Sequence, residues 1–406
     1  MEAETARQVE FIVSRQIMPE SVVAGEIVDC SDPVHSGNQA CGAMLVLDET
    51  WVNPYSANLA LIGLLRAPEP YQERARLVVK NWLRWFVNAT ARRMAEQPEL
   101  LPGTIPDFDC TRSGCTPTAD YGDSVDSYAA TFLSLLRAAY DTGDAGLRAF
   151  VVGALGGGVI TGIAETLVLP YGGGGVRLPT GLTEALPDSE GLQYTMDNAE
   201  VYAGLRDFAA LLDAVGDARA SRYRAYADQT RAAMFAQLWD PDRRGWRVEA
   251  GDPGAPALGG SPAPAGIAQF WPALFGVYAD PVPGRPDPLA DHNITPWRAF
   301  DEAYGGWWVG PEFTHDGWAN QSIAAAAKLF GTALGDTDEG RAYLDASEEY
   351  ELNLDARFWT EVPDGVAPEC AWKVRKTPCD EAYWSIDEAG WWLIAASDNP
   401  SMIPGS

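Results

Sequence analysis

Apolar positions fall along this chain in two alternating textures. Stretches such as SVDSYAATFLSLLRAAY, NAEVYAGLRDFAALLDAV and GWANQSIAAAAKLFGTAL are built from Ala, Gly, Ser and aliphatic residues on nearly every face. That is the pattern of a helix buried all round, whereas the segments that follow carry their charges on one side, as a surface helix does. The three stretches close on Gly143-Asp144, Gly216-Asp217 and Gly335-Asp336. Gly supplies the left-handed residue that ends a helix, and Asp can cap the next one, so each unit reads as a helical hairpin. The closures are 73 and 119 residues apart, and the longer interval has room for a further copy. That copy is PAGIAQFWPALFGVYAD with PLADHNITPWRAFDEAY, interrupted by Pro272. NPYSANLALIGLLRA with PYQERARLVVKNWLRWFVNAT lies upstream, and SIDEAGWWLIAAS lies near the carboxyl end with no charged partner after it. ETARQVEFIVSRQI, at the other end of the chain, supplies that partner. Six inner and six outer helices predict an all-α (α/α)6 toroid, a single domain over residues 1–406, with the inner amino ends opening into one bowl.

Between the hairpins lie two Gly- and Pro-rich loops, residues 170–194 with YGGGG and residues 251–266 with GDPGAPALGGSPAPAG. Loops of this length in a compact domain are usually functional rims or surface. Neither precedes the Gly-Lys-Ser/Thr of a phosphate cradle, so no nucleotide cofactor is expected. The uncharged run from Ala149 to Ala164 is too short and too rich in Gly to span a bilayer and predicts one packed helix.

Charge narrows the partners. The chain has 57 acidic and 29 basic side chains and a formal net charge of −28, which repels nucleic acid and anionic membranes and leaves neutral, cationic or small partners. Fifteen Trp, 15 Tyr and 13 Phe provide flat faces suited to sugar rings. Three His, His35, His292 and His315, are little material for a metal site, and none is expected. The six Cys fall in close pairs within polar loops, Cys30 with Cys41, Cys110 with Cys115 and Cys370 with Cys379. This even, local pairing predicts disulfides and an extracellular or periplasmic protein. No signal peptide is visible after Met1, where Glu2 and Glu4 open an amphipathic stretch.

The hairpin repeat, the stretches DYGDSVDSYAATFL and MDNAEVYAGL, and the aromatic-Asp turn LWDPDRRGW after an outer helix together resemble the six-hairpin glycosidase superfamily. Its members include glucoamylases, family-eight-type cellulases and unsaturated glucuronyl hydrolases, and the resemblance covers nearly the whole chain without matching one family. It implies acidic catalytic residues and aromatic sugar platforms at the inner-helix amino ends. In this chain those ends carry Asp123 and Asp126, Asp197 and Glu200, Glu312, His315 and Asp316, and Asp387 and Glu388. Each also has a bland reading: Asp123 fits an N-cap, and Asp197-x-x-Glu200 and Ser385-x-x-Glu388 fit capping boxes. Convergence favours chemistry, because neighbouring helices pack roughly 8–10 Å apart. Glycoside hydrolysis with inversion needs two carboxyls about 6.5–9.5 Å apart. Asp126 and Glu200, in the first turns of adjacent inner helices, are the expected acid and base, with Asp316 as the substitute across the bowl.

Tyr121, Trp307, Trp308 and Trp384 are expected as substrate platforms, together with Asp123, Asp197, Glu312, His315, Asp316 and Asp387 as polar contacts. Trp391 and Trp392 are adjacent in one helix, so at least one must pack in the core. The expected function is a secreted glycoside hydrolase acting on an oligo- or polysaccharide. A polysaccharide lyase on the same toroid would want cations at the mouths, which are almost free of them. A non-catalytic glycan-binding protein would keep the aromatic residues. A terpene-cyclase-like toroid lacks its Asp-rich run, of which PDFDC is only a partial echo.

Overall fold

The computed structural model describes residues 2–23, 25–46, 50–187, 191–259, 264–277, 290–304, 320–335 and 385–402, with single positions at 338, 341, 342 and 345. Six near-apolar helices form a closed ring: α2 (Pro54–Leu64), α4 (Val125–Asp141), α7 (Thr195–Ala214), α9 (Ile267–Leu274), α11 (Asn320–Leu334) and α12 (Ile386–Ala396). Each packs on the next in that order, and α12 packs back on α2. Outside them lie α1 (Glu2–Ser14), α3 (Gln72–Glu96), α5 (Ala145–Leu155), α6 (Val159–Thr166), α8 (Ala220–Gln237) and α10 (Asp291–Tyr304). The first helix, α1, packs against the last, α12, as the unpaired final hairpin requires. The outer partner expected after α11 lies largely outside the described residues. The fold is the (α/α)6 toroid.

The ring helices run parallel, and side-chain contacts show it. Ser124 meets Asp197 at 2.9 Å and Ser134 meets Asp207 at 2.8 Å, each pair 73 residues apart in sequence. Two rungs with one sequence offset require α4 and α7 to point the same way in the same register. The turns at Gly143 and Gly216 keep that offset, both at φ +75°, and Gly335 closes α11 with φ +77°. Asp144 accepts a hydrogen bond from the Leu147 amide at 2.8 Å and caps α5, as expected. Small residues let the ring close tightly: a Cβ on Gly204 would lie 2.5 Å from the Ala130 carbonyl oxygen, and one on Gly63 would collide with the backbone at Gly390.

The run from Ala149 to Ala164 departs from expectation. It forms two helices, α5 and α6, bent by 73° at the Gly156–Gly158 break, where Gly158 has φ +80°. Three successive Gly offer the backbone too little helix propensity to bridge the turn. Among the described residues two small sheets decorate the toroid. One joins β1 (Trp51–Val52), β2 (Phe108–Thr111) and β3 (Gly114–Pro117) in antiparallel order, with Cys110 directly opposite Cys115. The other is the hairpin of β4 (Trp239–Asp240) and β5 (Gly245–Trp246), formed by the LWDPDRRGW turn. Cys30–Cys41 and Cys110–Cys115 are bonded, while Cys370 and Cys379 lie outside the described residues.

Candidate functional site

The parallel ring brings the amino ends of α2, α4, α7 and α12 around a cavity of about 520 Å³. Asp107, Asp123, Asp197 and Asp387 line it, along with Trp51, Tyr55, Tyr128 and Tyr194, and no Lys or Arg does among the described residues. Asp126 and Glu200 lie beneath this lining, 0% and 2% exposed.

None of these carboxyls caps its helix. The N-cap of α4 is Ser124 rather than Asp123, and that of α7 is Tyr194, with no side-chain cap bond in either case. Ser385 is the N-cap of α12, but its hydroxyl turns to Asp387 at 2.5 Å instead of the helix amides. Glu388 reaches across to α11 and accepts the Gln321 amide at 2.7 Å. The capping readings of Asp123, of Asp197 with Glu200, and of Ser385 with Glu388 thus do not hold: Asp197, Glu200 and Glu388 make cross-helix contacts instead, and Ser385 serves Asp387. Capping fails because the buried carboxyls compete for the serine hydroxyls that would serve the amides.

Asp126 is enclosed by donors. Its Oδ1 accepts the Ser127 amide at 2.9 Å and lies 2.9 Å from the Ser124 hydroxyl, and its Oδ2 accepts the Thr183 hydroxyl at 2.7 Å. Burial pushes Asp126 up to about 6 against these bonds. Asp197, half-buried in the cavity wall, meets the same Ser124 hydroxyl through Oδ2. Burial first, and then the charges of Asp126 and Glu200, hold Asp197 well above the ordinary carboxylate range. Glu200 accepts Tyr55 Oη at 2.8 Å and Trp271 Nε1 at 3.0 Å on Oε1. Its burial pushes it up to about 8, against the help of Ser127, Tyr55 and Trp271. Asp387, on α12, is raised by burial and held back by Ser385 and Ser56. In the ring order α12 stands opposite α7, so Asp387 and Asp197 occupy facing walls.

Several site residues were not singled out from the sequence. Asp107 comes from the strand connection before β2, and it accepts Trp51 Nε1 at 3.0 Å, Asn53 Nδ2 at 3.1 Å and Tyr128 Oη at 2.7 Å. Its one sequence signal is its place just ahead of the disulfide-closed hairpin, in PDFDC. Thr183 belongs to the glycine-rich loop, which folds back so that Ala185 also accepts the Val125 amide at 2.7 Å. Tyr121 is not part of the lining: its ring lies under the Arg93 guanidinium, 5.7 Å away. Trp271, Trp391 and Trp392 are core residues, each at most 1% exposed. Trp307, Trp308, Glu312, His315, Asp316 and Trp384 lie outside the described residues.

No family model matches the chain, and no curated protein does. Among solved structures, the chain is similar to one described as a glycosidase, at TM-score 0.58 and 12% identity, covering 97% of this chain and 95% of the other. Other similar structures are a rhamnosidase from Klebsiella oxytoca with rhamnose bound (TM-score 0.44, 13% identity, 86% and 66% covered) and an alpha-1,6-mannanase from Salegentibacter sp. (TM-score 0.45, 10% identity, 98% of each covered). The first of these likenesses agrees with the ring and its connections: the chain shares the six-hairpin toroid fold of that structure.

Proposed function

We propose that the protein is a secreted glycoside hydrolase that cleaves a glycosidic bond with inversion, Asp197 acting as acid and Asp387 as base. The reading rests on one observation: four carboxyls meet in one cavity without capping any helix, and one of them, Asp197, has its pKa raised by burial and by the neighbouring carboxyls. A neutral carboxyl in a wall can protonate the leaving oxygen as the C–O bond breaks. Asp387, opposite, takes a proton from the water whose oxygen attacks the anomeric carbon from the other face. Solvent then returns a proton to Asp197 and removes one from Asp387. The pair anticipated from the sequence, Asp126 and Glu200, is assigned to support, because neither reaches the cavity lining. Trp51 and Tyr194 offer faces for the sugar, and two disulfides favour an oxidising compartment.

The absence of Lys and Arg from the described lining argues against uronates and sulfated sugars, and with them against a lyase. A panel of neutral, amino and uronic glycans, assayed by reducing ends, should show cleavage among the first two groups. Asp197→Asn and Asp387→Asn should each lower turnover by about 10²–10⁴ with binding retained. Proton NMR of the first product should show inverted configuration. Full activity in either variant removes that residue from its role, and glycan binding without cleavage points to a binding protein.

A further inference from the structure

The contacts around Ser124 contain more information than their distances. A serine hydroxyl has one hydrogen, yet Ser124 Oγ lies 2.9 Å from Asp126 Oδ1 and 2.9 Å from Asp197 Oδ2. It can donate to one of them only, and the other must donate to it or face it lone pair to lone pair. The remaining donors decide which. Asp126 takes the Ser127 amide on one oxygen and, on the other, the Thr183 hydroxyl, which lies 2.7 Å from it against 3.2 Å from Asn198 Oδ1, so it is surrounded by hydrogens that an anion needs. Among the described residues Asp197 makes no other hydrogen bond. The proton therefore belongs on Asp197, which donates it to Ser124 while Ser124 donates to Asp126.

We propose that Ser124, oriented by the anionic Asp126 and by Thr183 behind it, is a positioning residue that keeps the proton on Asp197. The proposal rests on the reading of Asp197 as the acid. Thr183 is fully buried and does not line the cavity, so its effect on Asp197 passes through Asp126 and Ser124. It is held in place by the Asn198 side chain, which accepts the Thr183 amide at 2.9 Å. Through Thr183 the glycine-rich loop thus reaches the chemistry from below. The other titratable groups facing Asp197 are Asp123 from the α4 side, Glu200 on its own helix, Tyr194 beside it and Tyr55 from α2. A hydrogen of Ser124 turned toward Asp197 would lower its pKa; committed to Asp126, that hydrogen cannot. Both the lost acceptor in Ser124→Ala and the lost donor in Thr183→Val make the neutral form of Asp197 less favourable relative to Asp126.

Infrared spectroscopy tests this without knowledge of the glycan. The carbonyl band of a protonated carboxyl, assigned to Asp197 by its loss in Asp197→Asn, is titrated against pH in the wild type and in variants. The band should persist through neutral pH in the wild type and in Ser124→Thr, which keeps the hydroxyl. Its midpoint should fall by about one pH unit in Ser124→Ala and in Thr183→Val. If Ser124→Ala fails to fold, Thr183→Val and Ser124→Thr decide. No Asp197 band at neutral pH, or a midpoint unmoved in the folded variants, overturns the proposal. Glycan cleavage is read separately, so a band that behaves as described in a protein that hydrolyses nothing would retain the relay and remove the hydrolase.

Discussion

Glu200 provides the sharpest test of how this carboxyl cluster is held. Its folded pKa is about 8 against an ordinary value of 4.5, with burial as the main cause. The folded protein therefore binds this proton more tightly than the unfolded chain does. Stability from this source is complete below pH 4.5 and is lost as pH rises toward 8, at about 1.4 kcal/mol per pH unit. Between pH 5 and pH 7 the loss is on the order of 3 kcal/mol, a substantial share of the stability of an ordinary domain. Glu200→Gln copies the protonated shape and retains an acceptor for Tyr55 and Trp271, but cannot ionise. It should match the wild type near pH 4.5 and exceed it increasingly up to pH 8. Urea denaturation at a series of pH values, with the slope against urea checked for constancy, measures the difference directly. Parallel pH curves for the two proteins would refute the reasoning and place an ionised Glu200 in the folded state.

Gly204→Ala should destabilise the toroid by about 3 kcal/mol, because the added methyl would sit 2.5 Å from the Ala130 carbonyl oxygen; thermal unfolding measures it, and a loss below about 0.5 kcal/mol would contradict the tight α4–α7 crossing. Intact-mass measurement before and after reduction should show a gain of six hydrogens if Cys370–Cys379 is bonded like the other two pairs, and four if it is not. Replacing Cys30 and Cys41 by Ser should cost about 3 kcal/mol on loop entropy alone, as read by denaturation.

The ring was legible in the chain because its signals are local. A helix that is apolar all round and closes on a left-handed Gly describes its own burial, and the 73-residue spacing of Gly143 and Gly216 is the spacing at which α4 and α7 pack. The acidic amino ends could be read for the same reason. Which acid faces the cavity could not, since one residue along a helix turns a side chain by about 100°. Asp126 lies in the first turn of α4 and ends up enclosed, whereas Asp197 lies in the first turn of α7 and joins the wall. The helix starts were offset as well: a serine reads as a cap in isolation, but here Ser124 and Ser385 serve carboxyls. Asp107 and Thr183 come from loops whose return to the site depends on long-range pairing; no local pattern marks Thr183, and Asp107 has only its place ahead of the Cys110–Cys115 hairpin.

The two rungs between α4 and α7 act as an indexing key. Ser124 faces Asp197 at the cavity end, and ten residues deeper Ser134 faces Asp207 with the same offset. Sliding α7 by one turn would take the Ser134 hydroxyl from Asp207, which is 3% exposed, leaving it only Arg206 of its own helix, while also moving Asp197 by about 5 Å along the wall. A buried polar pair far from the cavity therefore calibrates where Asp197 stands, and drift in the outer helices or in loop length can accumulate without being transmitted to the cavity end of the ring.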